Sequence, residues 1–278
     1  MSRKVNLNAY FERIGFAGSI APTQATLELL HALHPATIPF ENLNPLLDLP
    51  VLLDQASLEK KLLADKRGGY GFEHNLLFMS MLRELDFSVR GLAARVLWNN
   101  SDAVDGPPNH MLLAVDISGT TYIADVGFGG LTLTAPLKLR ADTEQKTPHE
   151  TFRLLGGDPG WRLEARLGEE WRALYVFNMQ EQVEEAYASS NLFVSTDPES
   201  RFRRELRVAL SPSGKRLTLL NNRLTVHADG QPAEQRFLET VGEMREVLST
   251  QFGIALPPAY LLDPRLEVIL ADAGVKQV

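Results

Sequence analysis

The sequence of 278 residues contains no cysteine at all. That absence excludes disulfide bonds, thiolate metal sites and any cysteine nucleophile. No hydrophobic stretch approaches the ~20 residues that a membrane-spanning helix needs. The first residues also lack the apolar core of a secretory signal peptide. We therefore expect a cytoplasmic protein that has no membrane segment.

The sequence also has no excess of basic residues. It contains 28 Lys and Arg and 35 Asp and Glu, which gives a net charge of −7. Nucleic-acid binding needs a basic footprint, so this composition gives it no support. His31 and His34 lie three residues apart on a predicted helix, but no acidic or histidine partner follows at a metal-site spacing. The sequence therefore predicts neither a nucleic-acid partner nor a metal.

Hydrophobic spacing divides the chain into a helical start, a β-rich middle and a mixed end. The 44% hydrophobic content supports a substantial core. Predicted helices begin after Asn6, at residues 22–23, near 57–64 and over 72–85, and a proline-punctuated loop is expected over 35–50. Predicted strands cover residues 89–98, 110–117, 121–126, 152–155, 161–167, 171–177, 206–210, 216–220 and 224–228. A helical tail is predicted from the spacing of Phe237, Val241, Met244, Val247 and Leu248.

The segment RGGYGFEHN at residues 67–75 places three glycines directly before an amphipathic helix. Clustered glycines allow close backbone approach, and a helix N-terminus offers free N–H groups to an anion or thiolate. Taken alone, the segment is more typical of a tight structural loop.

A second glycine-rich segment, ADVGFGG at residues 124–130, follows a predicted strand. It fails as a dinucleotide fingerprint because position 132 is not glycine and no helical pattern follows. A simple turn and a backbone that approaches a ligand both remain open.

His110 opens the strand that forms a hairpin with the strand ending at Asp125. Two neighbouring strands can hold an imidazole and a carboxylate together, as a general base and its orienting acid require. We predict this pair as candidate catalytic residues.

Together these segments resemble the arylamine N-acetyltransferases. That family's Arg-Gly-Gly-x-Cys-x-Glu-x-Asn motif matches residues 67–75 at every defined position except Gly71, where the family has cysteine. The family's Pro-Phe-Glu-Asn-Leu motif stands intact at residues 39–43. The family histidine and aspartate match His110 and Asp125, which lie 39 and 54 positions after Gly71.

The resemblance implies an α+β fold with a cysteine-protease-like core and three domains. These are a helical domain (1–87), a β-barrel domain (88–195) and an α/β lid (196–278). It also implies a ping-pong Cys-His-Asp reaction of xenobiotic metabolism, in which acetyl-CoA acetylates a cysteine thiolate and the thioester then acetylates an arylamine or arylhydrazine.

Further roles carry over from the family to matching positions. The resemblance implies a structural ion pair between Glu41 and Arg67 near the site. It also implies an acceptor pocket and a backbone that lies against coenzyme A. The pocket residues are Phe40, Val96, Phe128 and Phe202, and the coenzyme A residues are Gly127, Phe128, Gly129 and Gly130.

Gly71 has no side chain, so no acetyl-enzyme can form there, and we expect an inactive or strongly impaired acetyltransferase. Deliberate substitution, natural loss and sequence error are all compatible with it, although the retained partners favour recent or deliberate loss. Alternative functions are an amide synthase of the same fold and a non-catalytic protein that binds coenzyme A or arylamines. A protease-like or transglutaminase-like hydrolase fits the motifs less well. A monomer and a homodimer are equally compatible with the sequence.

Overall fold

The first third of the chain is helical in a computed structural model, which describes residues 5–99, 106–157 and 160–275. The helices are α1 (Leu7–Ile14), α2 (Gln24–Thr37), α3 (Leu43–Leu46), α4 (Gln55–Leu58), continued by a π-helical segment (Glu59–Ala64), and α5 (Gly71–Glu84). Asn6 and Thr23 accept N–H groups from the first turns of α1 and α2, as N-cap residues do. The predicted start of α1 and the predicted helices near residues 57 and 72 are confirmed.

The predicted loop over residues 35–50 is wrong. Helix α2 continues through Pro35 to Thr37, and strand β1 (Phe40–Glu41) and helix α3 follow. Proline removes only its own N–H from a helix that is about to end, and the next turn still closes through the Ile38 N–H and the His34 carbonyl. The Pro35 carbonyl accepts a hydrogen bond from the Ser211 amide at 2.8 Å, so a tertiary contact supports this end of the helix.

The middle of the chain forms an eight-stranded antiparallel sheet in the order β5-β4-β3-β2-β9-β8-β7-β6. Its strands are β2 (Ser88–Val96), β3 (His110–Ile117), β4 (Thr120–Ala124), β5 (Leu137–Lys138), β6 (Glu144–Lys146), β7 (Thr151–Gly157), β8 (Gly160–Leu167) and β9 (Glu170–Glu181). The Gln145 side chain on β6 bonds both the N–H and the carbonyl of Lys138 on β5, at 2.8 and 2.9 Å. The two edge strands are thereby joined, and the predicted barrel or strongly curved sheet is confirmed.

Strand β3 is buried on both faces, and this fixes where the helices lie. Met111, Leu113 and Val115 pack into the helical core, whereas Leu112 and Ala114 point into the barrel. Side chains alternate along a strand, so one strand serves both cores.

The last third combines a five-stranded sheet, in the order β1-β10-β11-β12-β13, with helices. Strands β10 (Arg207–Leu210), β11 (Lys215–Leu220), β12 (Arg223–Ala228) and β13 (Glu234–Phe237) are followed by helix α8 (Val241–Glu246), a π-helical segment (Val247–Gln251) and helix α9 (Ala259–Val275). Phe237, predicted in the helical tail, instead ends β13 opposite Arg223. The rest of the helical tail is confirmed.

Helices α6 (Glu184–Thr196) and α7 (Arg201–Arg204) connect the barrel to this sheet and had no counterpart in the sequence prediction. The boundary proposed between residues 195 and 196 falls at the end of α6. No helix in the described ranges is long and apolar enough to span a bilayer.

A chain of buried hydrogen bonds joins the three long N-terminal helices. His74 Nε2 lies 3.2 Å from the Pro39 carbonyl, which can only accept, so His74 donates there. Its Nδ1 then accepts from His34 Nε2 at 2.8 Å, and His34 Nδ1 accepts from the Tyr10 hydroxyl at 2.8 Å. Every member is satisfied only with both imidazoles neutral.

Burial lowers the pKa of His74 to about 4, and burial likewise lowers the pKa of His31 to about 4. An unfolded histidine titrates near ~6.5. As the pH falls below that value, the unfolded state takes up protons first, so stability is lost between about pH 6.5 and 4.

We predict that each of these two histidines removes about 2 kcal/mol from the free energy of unfolding between pH 7 and pH 5. Urea unfolding at both pH values measures this loss for the chain and for His74→Asn. The variant should lose about 2 kcal/mol less than the chain over the same interval, whatever its stability at pH 7. Equal losses in the two proteins would contradict the prediction.

Candidate active site

Helix α5 begins at Gly71, and close backbone contacts set its start. A Cβ on Gly68 would lie 1.9 Å from the Pro39 carbonyl oxygen, so only glycine fits there. The Glu73 carboxylate turns back to accept the Tyr70 N–H at 3.0 Å and pairs with Lys61 at 2.7 Å. An acidic residue in the first turn also suits the positive end of the helix dipole.

His110 and Asp125 lie side by side beneath this helix end. His110 begins β3, Asp125 follows β4, and the two strands are antiparallel neighbours. His110 Nε2 lies 2.7 Å from Asp125 Oδ2, and both side chains are buried. The carboxylate accepts this hydrogen bond, so Nε2 carries a proton and Nδ1 remains available.

The Asp125 carboxylate is held in its ionised form despite complete burial. Burial acts to raise its pKa, but the charge and hydrogen bond of His110 and the N–H donors of Asn75 and Gly127 outweigh it, so the pKa lies below its usual value. Asn75 Nδ2 and the Gly127 amide each lie 3.0 Å from Oδ1. An ionised carboxylate orients the imidazole and stabilises its protonated form.

Gly71 faces the free nitrogen of His110. A Cβ built on Gly71 would lie 2.7 Å from His110 Nδ1 and 3.2 Å from the Gly127 carbonyl oxygen. Among the described residues, the hydrogen bonds of His110 include one at Nε2 and none at that nitrogen. A side chain at residue 71 would therefore contact the imidazole, and the ring or the helix start would have to shift to admit it.

Three of the four predicted pocket residues lie around this point as aromatic rings. Phe128 packs edge-on to His110, with ring centroids 5.3 Å apart. Phe40 packs on Phe202 at 6.2 Å and lies 3.5 Å from the Cβ position of Gly129. Val96 ends β2 opposite Tyr175, whose ring packs on Phe128 with centroids 5.3 Å apart.

The predicted coenzyme A segment, Gly127–Gly130, lies between the start of helix α5 and strand β11. A Cβ on Gly127 would approach the Gly71 carbonyl oxygen to 2.8 Å, and one on Gly130 would approach Thr218 Cγ2 to 3.0 Å. Gly129 has φ +89°, a conformation that favours glycine. The segment is therefore held tightly and presents its backbone beside the His110–Asp125 pair.

Glu41 and Arg67 form a buried ion pair. Arg67 Nε and Nη2 lie 2.9 and 2.7 Å from Glu41 Oε1, and the Leu43 amide donates to Oε2 at 2.6 Å. Burial acts to raise the pKa of Glu41, but the positive charges of Arg67 and Lys61 and the Leu43 N–H outweigh it and leave the pKa below its usual value. The pair joins β1 to the loop that precedes α5.

Sequence reasoning assigned no role to three residues that support the dyad. Asn75 bonds Asp125, His31 Nε2 accepts the Asp125 N–H at 3.1 Å, and the Tyr175 ring packs on His110 at 5.4 Å. Asn75 was detectable, because it lies four residues after Gly71 and so on the same helix face. His31 and Tyr175 carried no local signal.

Outside this site, the described ranges contain a cavity but no candidate metal site. A cavity of about 640 Å³ between α7, the β11–β12 turn and α9 has mixed charge and contains neither His110 nor Asp125. No group of three His, Asp or Glu side chains in those ranges could hold a metal ion.

The motif order and this geometry agree with comparisons to known proteins. A family model described as N-acetyltransferase matches residues 23–260. The chain is 42% identical to the arylamine N-acetyltransferase of Escherichia coli (strain K12) over 254 residues. This alignment covers 91% of this chain and 90% of that protein. The chain belongs to the arylamine N-acetyltransferase family.

Solved structures of the family share the fold. The Mycobacterium marinum arylamine N-acetyltransferase in complex with CoA superposes with a TM-score of 0.91 at 36% identity, covering 95% of this chain and 99% of that one. The Salmonella typhimurium arylamine N-acetyltransferase gives 0.89 at 38% identity, covering 96% and 98%. The α+β architecture expected from the resemblance is confirmed.

We predict that Glu41→Gln lowers the free energy of unfolding by about 3 kcal/mol, because it leaves the buried Arg67 charge without a counter-charge. Urea unfolding at pH 7 measures the change. Lys60→Met provides the control, since Lys60 pairs with Asp65 on the surface and should change stability by less than about 1 kcal/mol. Equal effects of the two substitutions would show that the buried ion pair contributes no more to the free energy of unfolding than the surface pair does.

Proposed function

We propose that this chain binds acetyl-CoA and an arylamine or arylhydrazine at the His110–Asp125 site, and that Gly71 prevents ping-pong transfer between them. The observation that carries the proposal is the position of His110 Nδ1, which lies 2.7 Å from the Cβ position of Gly71 and has no hydrogen bond from the residues that the structure describes. The groups that activate a nucleophile are thus assembled around a residue that supplies none.

Acetyl-CoA is the proposed acetyl donor, and no metal takes part. The backbone of Gly127–Gly130 lies beside Gly71, which is where a thioester must reach. The relative solved with CoA supports coenzyme A as the ligand class.

A thiol at residue 71 would have both features that favour a thiolate. It would stand at the positive end of the 14-residue helix α5 and beside an imidazole that can take its proton. The thiolate would attack the acetyl carbonyl, the coenzyme A thiolate would leave, and His110 would return the proton to it. An amine would then attack the new thioester, the bond from the acetyl carbon to the sulfur of residue 71 would break to release the thiolate, and the amine would pass its proton to His110.

Without that thiol, one slower route remains for His110. Its free Nδ1 can take the proton of an amine that attacks bound acetyl-CoA directly. Removing a nucleophile from a comparable triad costs about 10⁶ in kcat, so we place this direct transfer several powers of ten below the ping-pong rate.

The acceptor is proposed to bind among Phe40, Val96, Phe128 and Phe202, because flat apolar rings suit an aromatic amine. We further propose a cytoplasmic protein that acts as a monomer or a homodimer, with no nucleic-acid partner.

We predict that Gly71→Cys acetylates an arylhydrazine from acetyl-CoA at least about 10³-fold faster than the chain itself. Release of free coenzyme A, followed with a thiol reagent, measures the rate. Gly71→Ala is the matched control, because it adds the same Cβ against His110 without sulfur and should stay as slow as the chain.

Two results would overturn the proposal. If Gly71→Ala accelerated transfer as much as Gly71→Cys, the thiol would not be the missing part. If neither Gly71→Cys nor the chain transferred acetyl while both bound coenzyme A, a non-catalytic binding protein would take the place of the acetyltransferase.

We also predict that Asp125→Asn, made in the Gly71→Cys protein, raises the pKa of the introduced thiol by at least about one unit. The lost carboxylate no longer stabilises the imidazolium that stabilises the thiolate. The pH dependence of iodoacetamide alkylation measures this shift. Asp116→Asn is the control, since Asp116 pairs with Arg90 at 3.3 Å outside the site. Matching profiles for the two variants would exclude a role for Asp125 in activating the thiol.

A further inference from the structure

Thr132 closes the segment Gly127–Gly130 into a fixed loop. Its hydroxyl donates to the Asp125 carbonyl at 2.7 Å and accepts the Phe128 N–H at 3.2 Å. Its own N–H donates to the Gly129 carbonyl at 3.0 Å. The Thr132 side chain therefore connects the backbone of Asp125 to the backbone of Phe128, whose ring packs on His110.

Arg216, on strand β11 of the other sheet, holds Thr132 in turn. Arg216 Nη2 donates to the Thr132 carbonyl at 2.7 Å, and Nη1 donates to Ser211 Oγ at 2.7 Å. The Glu150 carboxylate accepts from Nε at 2.7 Å and from Nη2 at 2.5 Å. Only 4% of the Arg216 side chain is exposed, so the guanidinium is committed to these partners.

The turn that carries Glu150 is also hydrogen-bonded to the turn between β10 and β11. His149 Nε2 donates to the Pro212 carbonyl at 3.0 Å, and His149 Nδ1 lies 3.0 Å from the Thr134 hydroxyl. His149 is therefore half-buried between the sheets. The barrel and the five-stranded sheet meet through polar groups that converge on the loop after Asp125.

We propose that Arg216 is a positioning residue, which acts through Thr132 to hold the Gly127–Gly130 backbone and the Phe128 ring in the geometry that binds coenzyme A. This inference rests on the proposed function. A glycine-rich loop loses much conformational entropy when it becomes ordered. A latch that orders the loop before binding removes that cost from the affinity.

Backbone hydrogen exchange tests the latch without any ligand. In Arg216→Met, the Phe128 and Thr132 amides should exchange at least about tenfold faster than in the chain. Arg153→Met is the control, because Arg153 pairs with Glu164 on β7 and β8 and has no hydrogen bond to the loop. Exchange that is unchanged in Arg216→Met, or equally faster in both variants, would overturn the latch.

Coenzyme A affinity, measured by calorimetry on folded protein well below the melting temperature, tests the consequence. Arg216→Met and Thr132→Val should each weaken binding at least about tenfold. Thr132→Ser, which keeps the hydroxyl, should restore it to within about threefold. Thr132→Val carries the test if Arg216→Met does not fold, and Arg153→Met should bind like the chain.

The outcomes separate the two proposals. Faster loop exchange with unchanged coenzyme A affinity in Arg216→Met and Thr132→Val would leave a structural latch and overturn its role in binding. Failure of Thr132→Ser to restore affinity would equally overturn the role of the hydroxyl. If the unaltered chain bound no coenzyme A, the proposed function would fail first and the positioning role with it.

Discussion

The active-site geometry depends on Asn75, which ties helix α5 to the two strands that carry the dyad. Its Nδ2 donates to the Met111 carbonyl at 2.7 Å and to Asp125 Oδ1 at 3.0 Å, and its Oδ1 accepts the Val126 N–H at 3.1 Å. One fully buried amide thus satisfies groups on β3, on the carboxylate and on the loop after β4. Removal of such a side chain leaves several buried polar groups unpaired, each at a cost of about 1–3 kcal/mol.

The same contact explains the glycines on both sides of it. Because Asn75 draws the loop after β4 against the start of α5, the Gly127 backbone lies where any Cβ would be 2.9 Å from Asn75 Nδ2 and 2.8 Å from the Gly71 carbonyl oxygen. The short distance between His110 Nδ1 and Gly71 follows from this packing. The helix N-terminus and the imidazole therefore converge even though residue 71 has no side chain.

Much of this site could be predicted from the sequence, because its parts lie in short motifs. The hairpin of two strands predicted the pairing of His110 with Asp125, whereas Gly71 was added only by the family resemblance; in the structure the three lie together. The supporting residues come from elsewhere in the chain. His31 reaches Asp125 from 94 positions away, and Arg216 reaches Thr132 from 84 positions away. Hydrophobic periodicity along the sequence cannot predict contacts between residues so far apart in the chain.

The errors in the fold prediction have the same origin. Pro35 indicates a helix end, but the helix continues to Thr37, and the distant Ser211 amide satisfies the carbonyl of Pro35 itself. Phe237 has helical spacing with Val241, yet the open edge of β12 pairs with its backbone. Helix α6 was missed because Val183 offers no capping side chain and the apolar Leu192 and Phe193 are exposed. In each case tertiary contacts overrode local preference.

The interactions that hold the rest of the site in place do not involve a side chain at residue 71. Asp125 and its donors fix the ring of His110, the Glu73 carboxylate and Gly68 fix the start of α5, and none of these interactions uses a side chain at residue 71. A nucleophile at this position would press on the imidazole rather than support it. Glycine at this position therefore leaves each of these interactions in place, and the scaffold of the candidate site does not depend on a side chain at residue 71.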